Sequence, residues 1–200
     1  TRYLSGRYIT VSKVYREWLN AVVNRVKEST LANYQNKFEK HILPEFWDVP
    51  CADLTAGRIN AFINKKLADG LSASYVRDIF TVFKTMLKYA QEEYGFRLSL
   101  KNVVLPKAKR NQVEKISDTD QKKLVSYLKA NMSLTAFGIL LSLFMGLRIG
   151  ELCGLKWEDV DFKSKTIQIC RSMEYRYSAK EWRIGEPKNK SGYCTIPLTK

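Results

Sequence analysis

The chain has 200 residues, with 34 Lys and Arg against 20 Asp and Glu, a formal net charge of +14, and 45% apolar side chains. That apolar share builds a real core and excludes wholesale disorder, and the length allows one or two domains. Cys51, Cys153, Cys170 and Cys194 form no C-x-x-C pair and His41 is the sole histidine, which excludes a zinc-ligand constellation, a disulfide framework and a histidine-based hydrolase triad within these residues. Isolated free thiols suit a reducing cytoplasm. The uncharged stretch from Met132 to Leu147 falls short of the roughly 20 apolar residues that a membrane-spanning helix needs, so no membrane partner is expected. The positive excess lies on both halves, +9 over residues 1–115 and +5 over residues 116–200, and points to a polyanionic partner.

The first predicted element runs from about Ile9, where Val11, Val14, Tyr15 and Trp18 recur with helical spacing. Ser29 is read as the N-cap of a second helix carrying Leu31, Tyr34 and Phe38 and ending near Pro44. Asp53-Leu54-Thr55 introduces a third, with Ile59, Phe62, Ile63 and Leu67 as its apolar stripe, and Asp69-Gly70 stops it. Ser72 or Ser74 caps a long fourth helix whose Val76, Ile79, Phe80, Phe83, Leu87 and Ala90 face inward. Residues 1–97 are thus expected to form a helical domain. Periodicity is lost over residues 98–115, where Val103-Val104-Leu105-Pro106 is extended and basic residues dominate; this segment is read as an interdomain linker.

A second domain, residues 116–200, opens at Ser117, a cap followed by Asp118 and Asp120. Leu134 to Met145 is apolar almost all round and is expected to be a buried helix, broken by Gly146; a short helix follows from Arg148. Thr166–Arg171, Trp182–Ile184 and Cys194–Pro197 are read as strands of one small antiparallel sheet, with Pro187–Gly192 as a turn. The expected fold is mainly α with a small antiparallel β-sheet.

Chemistry concentrates in Met145-Gly146-Leu147-Arg148-Ile149-Gly150-Glu151-Leu152. An arginine emerging from an apolar helix needs an anionic partner, and Glu151, three residues on, can orient it. A guanidinium held in this way suits bidentate binding of a phosphate, although the same pair also reads as a structural salt bridge. Lys188 and Lys190 in the turn could act as a proton donor or simply be solvated.

Taken in order, Gly146-Leu147-Arg148-Ile149-Gly150-Glu151-Leu152 followed by Leu155, Trp157, Asp159 and Val160 resembles the first conserved box of the tyrosine recombinase (phage integrase) family. Pro187-Lys188-Asn189-Lys190-Ser191 with Ile196-Pro197-Leu198 is similar to that family's strand hairpin, and residues 9–96 to its SAM-like core-binding domain; integrases of conjugative transposons are the nearest subfamily by this reading. The resemblance implies a site-specific recombinase that attacks a DNA phosphodiester with a tyrosine, through a 3′-phosphotyrosyl intermediate, without metal or other cofactor. Arg148 would neutralise the scissile phosphate, Glu151 would hold Arg148, and Lys188, or failing it Lys190, would protonate the leaving 5′-oxygen. The family's His-x-x-Arg box and nucleophilic tyrosine fall downstream of the hairpin, and none of the eleven tyrosines here occupies that place. The chain, starting Thr1-Arg2 and ending at Lys200, is therefore read as a fragment that does not cleave DNA by itself and also lacks an arm-binding domain.

The resemblance further implies a clamp on double-stranded DNA and a synaptic tetramer of the full-length protein, cytoplasmic and nucleoid-associated when bound. Thr30, Asn33 and Lys37 on the second helix and Ser74, Arg77 and Lys84 on the fourth would face the DNA, with Lys107, Lys109, Arg110 and Lys190 tracking phosphates. Two alternatives stay open: a non-catalytic duplex-binding protein with the same clamp, and a helical interaction module with incidental charge.

Overall fold

The computed structural model describes residues 8–108, 114–176, 180–187 and 192–198. The chain divides into two compact units, Thr1–Gln112 and Val113–Lys200.

The first unit is helical. Helix α1, Val11–Val22, starts where the Thr10 hydroxyl accepts the Lys13 N–H, and it buries Val11, Val14, Tyr15 and Trp18, the stripe that the spacing predicts. Helix α2, Glu28–Lys37, begins earlier than the Ser29 cap would require: Lys27 holds the cap position without a side-chain bond, and Glu28 complements the positive helix start. One π-helical turn, Phe38–Ile42, carries the chain into α3, Leu43–Phe46, where Pro44 sits in the first turn and its missing N–H costs nothing. Helices α4, Ala56–Ala68, and α5, Ala73–Tyr94, are capped by Thr55 and Ser72. Gly95, at φ 68°, ends α5 in a left-handed conformation that few other residues adopt without strain. Phe83 of α5 meets Phe38 edge-on at 6.2 Å and stacks on Phe46 at 5.4 Å, at the centre of the core.

The segment expected to be a linker is largely part of this unit. Leu98, Leu100, Val103 and Leu105 pack against the helical core, and the boundary between the units falls after Gln112. The Val103–Pro106 stretch is extended, as proline requires, and loss of helical period here marks a change of local structure rather than the end of the domain.

In the second unit α6, Asp118–Ala130, is capped by Ser117, and α7, Leu134–Met145, by Ser133. The expectation of a buried α7 does not hold. Ala136 and Leu140 are its buried residues, while Leu134 is 88% and Phe144 63% exposed. Composition marked this helix as apolar but carried no information on which neighbours cover it. Helix α8 spans Ile149–Cys153, and a 3₁₀ turn at Trp157–Asp159 leads to β1, Val160–Asp161.

Two small antiparallel sheets replace the single one expected. In the first, β2, Thr166–Ile169, pairs with β1 and with β5, Cys194–Pro197, placing Ile167 opposite Ile196. Ile167 and Ile169 point into a core with Leu147. In the second, β3, Ser172–Arg176, pairs with β4, Glu181–Gly185. The run read as one strand over 166–171 breaks at Cys170-Arg171, whose side chains turn aside to the acidic groups of the 3₁₀ turn. Among the described residues, no helix is long and apolar enough to cross a membrane.

Candidate active site

Gly146 terminates α7 at φ 67°, Leu147 drops into the core, and Arg148 takes the N-cap position of α8 with extended backbone. Glu151, one turn into that helix and 8% exposed, accepts two bonds from the same residue. Its Oε2 takes the Arg148 backbone N–H at 3.0 Å and its Oε1 takes Nη1 at 2.7 Å. The three-residue spacing that lets Glu151 orient Arg148 is here that of a helix cap, so one carboxylate fixes both the helix start and the guanidinium. Burial pushes the Glu151 carboxyl upward, but the backbone and guanidinium donors of Arg148 outweigh it and hold it below the usual glutamate range.

The Arg148 side chain is 78% exposed. The guanidinium is therefore not desolvated; its carboxylate support is. With the cation mostly in water the ion pair contributes about 1 kcal/mol or less, and its consequence is orientation. A planar fork braced from behind leaves its remaining N–H groups for an anion arriving from solvent.

Gly150 sets how closely α8 lies on β3. A Cβ there would stand 2.5 Å from Ser172 Oγ and 2.8 Å from the Met173 carbonyl oxygen. A second support is Asp159, 6% exposed, which accepts the Lys156 N–H at 2.8 Å, the Cys170 thiol at 3.3 Å and Arg171 Nη2 at 2.5 Å. Arg171 also binds Glu158 at 2.9 Å. Burial pushes Asp159 up, yet these donors hold it below its ordinary range. Gly150 lies in the box that the sequence singles out, but its packing on β3, like the ion pairs of Arg171, depends on contacts distant along the chain and was not legible there.

Lys188, Lys190, Lys109 and Arg110 lie outside the described residues. The flanking Pro187 and Gly192 are both buried, and a Cβ on Gly192 would sit 2.5 Å from Pro187 Cβ. Within the helical unit Asn33, Ser74, Lys84 and Lys107 are exposed, and Thr30 is half-buried. Arg77 is exposed too, and its Nη1 donates to the Pro106 carbonyl at 3.2 Å. Lys37 departs from the expected outward face. It is 6% exposed, with its ammonium 6.0 Å from the centre of the Tyr75 ring, because it stands three residues after Tyr34 and next to Phe38, beside the inward stripe of α2. Tyr75 in turn bonds His41 Nε2 at 3.3 Å.

The model of the phage integrase N-terminal SAM-like domain matches residues 10–67, and that of the phage integrase family matches residues 107–191. A tyrosine recombinase XerC-like protein of Caldanaerobacter subterraneus subsp. tengcongensis is 27% identical over 95% of this chain and 52% of its own length. The integrase of Escherichia phage lambda is 27% identical over 68% of this chain and 37% of its own. The chain spans about half the length of the curated relatives it matches. Among solved structures, the Tn1549 transposon integrase in complex with a circular intermediate DNA superposes with a TM-score of 0.76 at 19% identity, over 96% of this chain and 62% of that one. Lambda integrase, as a tetramer bound to a Holliday junction, gives 0.65 at 19% identity, over 90% and 49%. These likenesses establish the fold, and with both family models covering most of the sequence between them, the chain belongs to the phage integrase family of tyrosine recombinases.

Proposed function

We propose that this chain is the core-binding unit and the leading part of the catalytic unit of a site-specific integrase, which inserts and excises a mobile element by transesterification through a 3′-phosphotyrosyl intermediate. The observation that carries the reading is the exposed Arg148 guanidinium braced by a buried Glu151 within an integrase fold. Arg148 supports charge developing on the non-bridging oxygens of the scissile phosphate, where a fixed cation stabilises the transition state more than the ground state. Glu151 positions Arg148. Lys188, with Lys190 as the alternative, delivers a proton to the leaving 5′-oxygen. The nucleophilic tyrosine is not among these 200 residues, so the chain alone binds duplex DNA without cutting it.

Asn33, Ser74, Arg77 and Lys84 meet the duplex from the helical unit, Thr30 contributes from its half-buried place, and Lys107, Lys109 and Arg110 follow phosphates. Lys37 would reach the duplex only if it left its place beside Tyr75. The full-length protein works as a synaptic tetramer on two duplexes in the bacterial cytoplasm, associated with the nucleoid when bound.

The test uses a form of the protein that includes the nucleophile. Arg148→Lys is expected to retain duplex binding and lose most covalent DNA–protein complex, since lysine does not offer the planar fork. Lys188→Ala is expected to slow cleavage more than Lys190→Ala. Normal covalent-complex yield with Arg148→Lys would remove the assignment, and the reverse order of the lysines would move the proton donor two residues along.

A further inference from the structure

We propose that Asn60 is a positioning residue: its carboxamide latches residues 98–106 onto the helical unit and thereby limits the reach of the basic connection to the second unit. The inference rests on the duplex-clamping role argued above.

Asn60 lies on α4 and uses both ends of its amide. Nδ2 donates to the Asn102 carbonyl at 3.0 Å, and Oδ1 accepts the Val104 N–H at 2.9 Å. The two partners flank Val103, whose side chain packs on the helical core. A side-chain amide is here serving as a strand-like neighbour for an extended backbone that has no such neighbour in sequence. Aspartate would set a second acceptor against the Asn102 carbonyl, and an apolar side chain would satisfy neither group. Further along, Arg77 holds the Pro106 carbonyl at 3.2 Å. At its start Gln91 Nε2 donates to the Leu98 carbonyl at 3.1 Å, so the segment is tied at four points, with Leu98, Leu100, Val103 and Leu105 packed inward and Val104 exposed.

The consequence is one of length. With residues up to Pro106 held, the connection to α6 consists of residues 107–117, which reach at most about 40 Å. Released back to the end of α5, residues 95–117 would reach about 80 Å. Once one unit has bound a duplex, the local concentration of the other falls as about the −3/2 power of the connecting length, so full release weakens clamping about threefold without removing any DNA contact.

The test compares the wild-type chain, Asn60→Ala, and a variant with a nine-residue Gly/Ser insertion after Lys107. Each is measured by amide hydrogen exchange and by anisotropy titration with a labelled random-sequence duplex long enough for both units. Asn60→Ala is expected to speed exchange at Val104 and its neighbours and to weaken duplex affinity up to threefold, at an unchanged slope of log K against log salt. The insertion is expected to weaken affinity two- to threefold while leaving exchange at Val104 as in the wild type, and it keeps the question answerable even if Asn60→Ala folds poorly. Unchanged exchange at Val104 in Asn60→Ala would overturn the latch, and unchanged affinity in the insertion variant would overturn the link between latch and reach. Absence of duplex binding by the wild-type chain would instead remove the DNA reading, with the exchange result still reporting on the latch.

Discussion

At the scale of single residues, the site depends on a division of labour between a buried acid and an exposed base. Glu151 is held ionised by two donors from Arg148, which lets a carboxylate persist at 8% exposure. His41 gives the opposite case. Burial, then the charges of Lys66 and Lys40, lowers its pKa below the ordinary histidine value, with Asp69 pulling weakly the other way, while Tyr75 supplies the hydrogen bond. A base with a lowered folded pKa binds its proton more readily when unfolded, so stability declines as pH falls through the window between its folded pKa and about 6.5. As His41 is the only histidine, a single-histidine NMR titration should report a midpoint below 6.5, and His41→Gln should flatten the fall in thermal stability between neutral pH and that midpoint. A midpoint at or above 6.5 would mean that burial and the neighbouring lysines do not act on the ring as described. The arginine–glutamate pair was legible in the sequence because its partners lie three positions apart. The Lys37–Tyr75 approach was not, since it spans the distance from α2 to α5.

At the scale of elements, close approach between α8 and β3 is what places Arg148. Gly150→Ala would put a methyl group 2.5 Å from Ser172 Oγ and 2.8 Å from a backbone oxygen, and the second contact has no side chain that could move away. The substitution should cost about 1–3 kcal/mol in urea unfolding of the second unit, and Ser172→Ala should restore only part of it. Full rescue by Ser172→Ala would show that the Met173 carbonyl is not in the way. Helix α7 makes the converse point. Phe144, 63% exposed, should tolerate Gln within about 0.5 kcal/mol, whereas Phe83→Ala in the helical core should cost about 3–5 kcal/mol. The caps at Thr55, Ser72 and Ser117 were legible locally, because a hydroxyl and the N–H it accepts are three residues apart. The break between β2 and β3 could not, because Asp159 and Glu158 draw Cys170 and Arg171 away from a pattern that alternates without interruption.

At the scale of the whole molecule, charge governs the expected association. In the proposed clamp Arg77, Lys84, Lys107, Lys109 and Arg110 meet phosphate, which predicts a fall of log K with log salt of slope about −4 to −5. Lys37, buried beside Tyr75, is left out of that sum, so Lys37→Gln should leave the slope unaltered while Lys84→Gln should reduce it by about one. A slope near zero in gel-shift titrations over a range of salt would exclude phosphate tracking altogether. The net charge behind this prediction needs no coordinates, but deciding which cations count does.

The order of helices and strands, the two basic halves and the arginine box were determined by the chain itself, since periodicity, caps and a seven-residue motif are all short-range properties. Folding decided the rest: that residues 98–106 belong to the helical unit through Asn60 and Arg77, that two sheets form where one alternating run suggested a single sheet, that an apolar helix keeps an open face, and that Arg148 stands in water while its acid is buried. Each of these depends on which groups meet across long stretches of chain, and a sequence pattern records what a residue prefers to be near without recording what it meets.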